Sequence, residues 1–384
     1  MPGLLPPLRF TGARVLRDGV LQERSIAVAG GRITRGPLPA VDLSGYLILP
    51  GVIDLMAVLP APCMDPDTAR CLLDEADRLN AARGVTTLCL HQGWSWEGGA
   101  DSPAAAAIMA EAMTLAATRS VTDLRMMLRV EHAQAPDIAR IMTLIRRHGP
   151  GLVMFSDRAA EARMLADGDP EAFDALARRL GHDAESLRLT LDGLTSSAAQ
   201  VPRALCLLAE EFDRLGVIYG SMEDATGEAR EHHSMLGAGL CLTPRTYRAA
   251  AAARAVSDPV ALSARDILGR METRTLDLAD LQRADAIVSD GAAMSLADLA
   301  LTLASRGLMD LPAAWSLVSE RPARLLRLPD RGRLDHGMRA DLTVVNAATG
   351  KVEATISGGR LAYLSGMAGA RFLGKRIDIA MAAE

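Results

Sequence analysis

Lysine is nearly missing from this chain. Among 384 residues it occurs at Lys351 and Lys375 alone, so nearly all of the 42 basic side chains are arginine. The formal net charge is −5 and no basic run stands out, which argues against a nucleic-acid partner. Aromatic residues make up only 3% of the chain, so any tryptophan near a loop draws notice. The five cysteines, Cys63, Cys71, Cys89, Cys206 and Cys241, are scattered with no Cys-x-x-Cys pair. Such an odd, dispersed set suits reduced thiols in a cytoplasm. No uninterrupted apolar run of about 18 residues occurs, and Met1 to Pro7 lacks a charged segment leading into an apolar one. Neither a membrane span nor a signal peptide is expected, and the expected location is cytoplasmic. A Gly-x-Ser-x-Gly elbow, a phosphate-binding P-loop and a Gly-x-Gly-x-x-Gly turn after a strand are also missing, which removes the common serine-hydrolase and nucleotide-fold signals.

What the chain does have is apolar bulk. Hydrophobic residues make up 49% and the mean hydropathy is +0.13, enough for one large filled domain and a small accessory one. Leu8 to Leu16 and Leu21 to Val28 alternate apolar and polar residues around Asp18-Gly19 and Gly30-Gly31, a strand-and-turn texture. The same texture returns from Gly332 to Val345, then at Lys351 to Ile356 and Gly358 to Leu361. Both ends therefore predict one small β-sandwich domain assembled from residues 1–49 and 331–384. Between them, apolar strand candidates alternate with alanine-rich helices: Leu47 to Leu55, Val85 to Leu90, Leu124 to Val130, Leu152 to Phe155, Val217 to Gly220, Gly239 to Leu242 and Ala286 to Val288. Helices are predicted at Thr68 to Arg83 and Ser102 to Thr118. That alternation predicts an α/β fold, a (β/α)₈ TIM-like barrel over residues 50–330. Residues 159 to 215 are too long for one crossover and should hold extra helices.

Three segments carry a family resemblance: Pro50-Gly51-Val52-Ile53-Asp54, Arg83-Gly84-Val85-Thr86-Thr87, and the Gly-x-Leu-x-x-Gly-x-x-Ala-Asp-Leu of residues 332 to 342. Together they resemble the amidohydrolase superfamily, over nearly the whole chain. The order of the remaining motifs is similar to the phosphonate-metabolism branch, whose members cleave diphosphate from a 5-triphosphorylated ribosyl alkylphosphonate. Val130-Glu131 matches that branch's acidic residue after a strand, and Ser156-Asp157-Arg158 stands where it has Met-Asp-His. Ser221-Met222-Glu223-Asp224-Ala225-Thr226 stands where it has Ser-His-Asp-Asp-Ala-Thr, and Val288-Ser289-Asp290 where it has Ser-Ser-Asp.

The resemblance implies a hydrolase of a phosphoanhydride or non-peptide C–N bond, with a metal held at the C-terminal ends of the barrel strands. Several implied ligands are replaced. The first strand of the family ends in His-x-His or His-x-Asp, whose i, i+2 spacing puts both side chains on one face; here those places hold Met56 and Val58. Arg158 and Met222 replace two further histidines. No lysine precedes Lys351, so a bridging carboxylated lysine is excluded and only a carboxylate such as Glu131 could bridge metals. The region matching the branch's glycine-rich phosphate segment, Tyr247 to Pro259, is alanine-rich, though Arg245, Arg248 and Arg254 remain as anion contacts. The expected outcome is a degenerate metal site and attenuated or absent hydrolysis, the alternative being an active hydrolase with a rebuilt carboxylate site.

Asp290 is the catalytic candidate, because the resemblance gives the aspartate after the last strand a metal and the proton of the attacking water; equally, it could cap the helix beginning near Ser295. Glu131, Asp157 and Asp290 together form the candidate site for a single divalent ion held by oxygen ligands, or Asp157 and Arg158 are a salt-bridged relic. Met56 and Met222 offer two thioethers for a soft ion, or simple apolar filler. His91 ends the second strand and could face the barrel mouth. Arg158, Arg245 and Trp94 are the candidate substrate contacts, with Trp94 alternatively roofing the barrel. The expected partner is a small, plausibly phosphorylated molecule, with no nucleic acid and no membrane; self-association is compatible with the sequence.

Overall fold

Strands apolar on both faces belong in a parallel sheet covered by helices, and that is where the middle of this chain places them. The computed structural model describes residues 3–372. Eight parallel strands follow one another around the sheet: Val52–Ala57, Val85–Trp94, Asp123–Glu131, Leu152–Ser156, Tyr219–Met222, Cys241–Leu242, Val260–Ser263 and Ala286–Val288. They are called here the first to the eighth barrel strand. Seven were anticipated from the sequence. Val260–Ser263 was not, because four residues ending in serine directly after the alanine-rich helix Tyr247–Ala255 carry almost no strand signal.

The seam between the eighth and first strands is closed by side chains as well as backbone. The Asp290 N–H donates to the Met56 carbonyl at 3.0 Å. The buried carboxylate of Asp54 accepts from the amides of Met56 and Ser289, both at 3.1 Å. At the other end of the seam, the amides of Ile53 and Ile287 donate to the carbonyls of Val318 and Leu317 at 2.8 and 2.9 Å, while the Trp315 indole N–H holds the Pro50 carbonyl at 2.9 Å. The Pro-Gly-Val-Ile-Asp motif is thus a structural join. Gly51 belongs to it for a steric reason: a Cβ there would lie 2.3 Å from the Thr86 hydroxyl oxygen, far inside contact distance.

The lumen is filled by Ile53, Leu55, Cys89, Met127, Leu152 and Met154 from the first four strands, with Leu240, Leu242 and Val288 opposite. A larger cluster lies between the strands and the surrounding helices, including Leu88, Leu90, Leu128, Val130 and Phe155. The predicted helices form at Pro66–Ala82 and Pro103–Ala116, each with proline in its first turn and a capping Asp65 or Ser102. The long stretch after the fourth strand holds Arg158–Gly168, Pro170–Arg179, Ala184–Thr195 and Val201–Leu215. The first three carry a small core of their own around Phe173, Leu187 and Leu191.

Both ends of the chain build two further sheets. Leu342–Asn346 runs antiparallel to Tyr46–Pro50, with Val344 opposite Ile48 and Leu342 opposite Pro50, so the C-terminal segment is laced to the strand leading into the barrel. These strands, with Arg14–Arg17, Val20–Glu23, Val352–Ser357 and Arg360–Leu364, make a six-stranded sheet. Leu8–Thr11, Ile26–Ala29, Arg32–Thr34 and Ala40–Asp42 make a four-stranded one, and both share a core of Phe10, Val15, Ile33, Leu43, Ile48 and Ile356. The sandwich expected from the two ends is present; residues 373–384 of that expectation, Lys375 included, lie outside the described residues. Among the described residues no helix is long and apolar enough to cross a membrane.

Candidate functional site

Barrel enzymes gather their chemistry where the strands end, and the largest opening of this barrel lies there. A cavity of about 500 Å³ is lined at its floor by Met56, His91 and Met222, and at its sides by Glu223, Asp290 and the loop after the first strand. Arg158, Arg179, Arg245 and Arg265 border it. A second cavity of about 360 Å³ adjoins it under the helical excursion and shares Arg158, Arg179 and Arg245, adding Trp96, Glu97 and Glu161.

The two cavities are divided by an ion-pair mesh centred on Arg158. Its Nε donates to Glu223 at 3.0 Å and its Nη1 to Glu97 at 3.4 Å. Burial works against the charged guanidinium, but Glu223 and Glu97 outweigh it and hold its proton more firmly than usual. Glu97 also accepts from Arg129 at 2.7 Å and from Ser95 at 3.0 Å. Against its burial, the two guanidinium groups keep that carboxyl below the ordinary range. Arg245 pairs with Glu161 and approaches Glu223 at 3.6 Å. Burial, together with the nearby Arg158 charge, lowers the proton affinity of Arg245.

Backbone geometry marks the same rim. Glu223, Thr243 and Asp290 follow the fifth, sixth and eighth strands at φ of 60°, 48° and 47°, a left-handed conformation that side-chain-bearing residues seldom adopt and that clusters at functional sites. Asp290 accepts from the Ser263 hydroxyl at 2.8 Å and lies 3.6 Å from Arg265. Burial raises its pKa above the ordinary carboxylate range, against the Ser263 hydrogen bond and Arg265. His91 has a buried Nε2 with no hydrogen-bond partner. Burial, then Arg129, pushes its pKa down to about 4, so it is a neutral imidazole near pH 7.

No protein-family model matches the chain. It is 27% identical over 369 residues to alpha-D-ribose 1-methylphosphonate 5-triphosphate diphosphatase of Escherichia coli K12, covering 88% of this chain and 94% of that protein. The chain is thus similar to that diphosphatase over most of the length of both proteins. Solved structures agree on the fold. The N-acetyl-D-glucosamine-6-phosphate deacetylase of Mycobacterium smegmatis superposes with a TM-score of 0.60 at 14% identity, over 93% of this chain and all of that one. A Xaa-Pro dipeptidase superposes with a TM-score of 0.64 at 11% identity, over 94% of this chain and all of that one.

Set beside that likeness, the residues at this mouth do not fit a divalent metal. Glu131, Asp157 and Asp290 were expected to converge, and they do not. The Glu131 carboxylate is fully buried and turned to the start of the helix Arg158–Gly168, accepting from the Ser156 hydroxyl at 2.8 Å and from the amides of Arg158 and Ala159 at 3.1 and 3.2 Å. Asp157 caps that helix through the Ala160 amide at 3.0 Å and faces His132 at 3.3 Å. Asp290 alone of the three lines the mouth. Among the described residues no group of three His, Cys, Asp or Glu side chains is arranged to hold a metal ion. Met56 and Met222 do reach the mouth floor together, buried in the apolar lumen cluster, which suits the filler role.

The substrate-contact residues divide. Arg158 and Arg245 border both cavities. Trp94 does not line the mouth: its ring packs in the outer cluster with Leu88 and Leu90, beneath the Arg140 guanidinium at 5.3 Å. Its neighbour Trp96 lines the smaller cavity. Arg248 and Arg254 line neither cavity, and Arg254 pairs with Asp280 at 2.6 Å. Glu97, Arg129 and Arg179 escaped the sequence reading. The signal for the first two was Arg129 itself, a charge set between Met126-Met127-Leu128 and Val130 in a strand, which needs a buried carboxylate nearby.

His132 and His233 also meet, Nε2 to Nε2 at 2.9 Å, flanked by Asp157 and by Asp224 at 2.9 Å from the His233 Nδ1. One imidazole must donate to the other, so this pair ties the end of the third strand to the helix Gly227–Met235 that follows the fifth.

Proposed function

We propose that this chain is a non-hydrolytic or strongly attenuated relative of the phosphonate-branch amidohydrolases, whose barrel mouth binds a small phosphorylated molecule. One observation carries the reading: the Glu131 carboxylate, the implied bridging ligand, is spent on three hydrogen bonds that anchor the helix bearing Arg158. The Arg158 guanidinium then supplies fixed positive charge to the mouth, together with Arg179 and Arg245. Guanidinium groups suit a phosphate because their N–H donors match two of its oxygens at once. Met56, Met222 and a neutral His91 bring no charged ligand to the mouth floor, which favours anion binding by the guanidinium groups over activation of water by a metal ion.

The test is elemental analysis of the purified protein, beside turnover of alpha-D-ribose 1-methylphosphonate 5-triphosphate, the compound in the bacterial relative's name. Substoichiometric metal and no diphosphate release, with the compound binding and Arg158→Ala weakening that binding, are expected. Stoichiometric metal with turnover would sink the proposal. A second reading is favoured by Asp290, a half-buried carboxyl with raised proton affinity held at φ 47° on the mouth: an active hydrolase in which this group takes a proton from water. Asp290→Asn separates the two, removing turnover under the second reading and leaving binding intact under the first.

A further inference from the structure

The terminal sandwich holds a groove of a different electrical character from the mouth. It measures about 410 Å³ and opens between Leu8–Thr11, Ile26–Ala29, Arg32–Thr34 and the segment around Leu334. Arg9, Arg17, Arg24, Arg35 and His336 line it, and no aspartate or glutamate does. At the barrel mouth Arg158, Arg245 and Arg265 each face a carboxylate that also lines a cavity. In the groove, Arg17 alone of the four has an acid partner among the described residues, Asp335 at 3.4 Å and Asp18 at 3.9 Å. The Arg9 Nε is buried without any hydrogen-bond partner. Arg9, Arg24 and Arg35, gathered beside Arg17 without acid partners of their own among the described residues, repel one another and leave donors unused. The floor between them is apolar, made by Val15, Ile26, Ile33 and Leu334, all buried.

The geometry points to a second binding site here, for an organic phosphate: its phosphate oxygens lie on Arg9, Arg17, Arg24 and Arg35, and its apolar body on the floor. The volume falls within the range of small-molecule sites, roughly 300–1,000 Å³. The site lies in the sandwich and is independent of what the barrel mouth binds.

Calorimetric titration of the full-length protein with adenosine triphosphate and with inorganic triphosphate tests this. Adenosine triphosphate should bind more tightly than inorganic triphosphate, since only the former covers the floor. Arg24 and Arg35 are exposed, so the double variant Arg24→Glu, Arg35→Glu should fold, checked by an unchanged Tm. It should bind adenosine triphosphate at least about tenfold more weakly, since each lost charge-assisted contact is a sizeable share of a small ligand's affinity. Arg203→Glu, an exposed charge outside both sites, should bind adenosine triphosphate as the wild type does, and Arg158→Ala should keep the binding that the double variant loses. The inference is overturned if the wild type binds neither compound, if the double variant binds as tightly as wild type, or if Arg158→Ala abolishes binding. Equal affinity for the two compounds overturns the organic part and leaves an inorganic polyphosphate site. Tight binding of a single-stranded oligonucleotide with none of the mononucleotide would assign the groove to a polymer and overturn it as well.

Discussion

Glu131→Ala distinguishes a structural carboxylate from a metal ligand, because the two roles predict opposite outcomes. In the structure the Glu131 side chain accepts from Ser156, Arg158 and Ala159 and lies 3.8 Å from the wholly buried Arg129. Alanine leaves those three donors without their acceptor and removes one carboxylate facing Arg129. Orphaning a buried donor costs about 1–3 kcal/mol, and breaking a buried ion pair about 3–5 kcal/mol. Arg129 keeps Glu97 at 2.7 Å and Asp101 at 3.3 Å, so the charge loss is partial; with each donor at the low end, about 1 kcal/mol, and about 1 kcal/mol for the ion pair, the sum is about 4 kcal/mol. Unfolding entropy near 2.1 cal/mol/K per residue gives roughly 0.8 kcal/mol/K for a chain of this length. The expected fall in Tm is therefore about 5 °C, in chelator and in Mn²⁺ alike. The assay is thermal melting in each. If the variant melts with the wild type in chelator, and Mn²⁺ raises the Tm of the wild type alone, Glu131 is a ligand and the reasoning is wrong.

His91 should show itself in acid. Its folded pKa is about 4 because burial disfavours the imidazolium, against about 6.5 unfolded. A depressed histidine contributes nothing above pH 6.5 and costs stability as pH falls from there towards 4, since the unfolded chain then binds more protons. Between pH 7.5 and 5 that loss is on the order of 2 kcal/mol, and urea unfolding of His91→Gln should lack it; identical acid limbs in both proteins would refute the assignment. Asp54→Ala should cost about 3 kcal/mol by opening the barrel seam, while Asp54→Asn, which keeps an acceptor oxygen, should cost about 1 kcal/mol. Equal midpoints for the two in guanidinium chloride would show that the seam does not depend on this side chain. Arg158→Ala keeps the amide that serves Glu131 and removes the guanidinium that joins Glu223 to Glu97, so it should alter ligand binding with a stability change of about 1–2 kcal/mol. A cost matching that of Glu131→Ala would contradict that separation.

Barrel strands were legible because each is a short apolar run bounded by turn residues, and the two ends because alternation with Asp-Gly and Gly-Gly turns is a local signal. Val260–Ser263 was lost for want of such a signal; its place is set by pairing with Cys241–Leu242 and Ala286–Val288, which are distant in sequence. The site was half legible. That Met56, Arg158 and Met222 belong at the barrel mouth can be read from their positions after the strands, and all three line it. The direction of a carboxylate cannot: Glu131 is at its expected strand end, yet its donors are the Ser156 hydroxyl and two helix amides brought there by the next βα turn. Trp94 shows how a small boundary error becomes a wrong site. Read as a loop residue beyond a strand ending near His91, it belongs to the pocket. The strand runs on to Trp94 itself, and strict alternation from Leu88 and Leu90 carries residue 94 to the helix side while Cys89 points into the lumen. Period-two geometry was sufficient to place it, once the strand's length was known, and that length is fixed by eight consecutive pairings with the third strand, Thr87 with Asp123 through Trp94 with Val130. Local pattern thus decides which face a residue takes, but a long-range ladder decides how far the pattern applies. The same dependence explains Arg129: alternation with Met127 turns it to the lumen side, but its partners Glu97 and Asp101 come from the loop beyond Trp94.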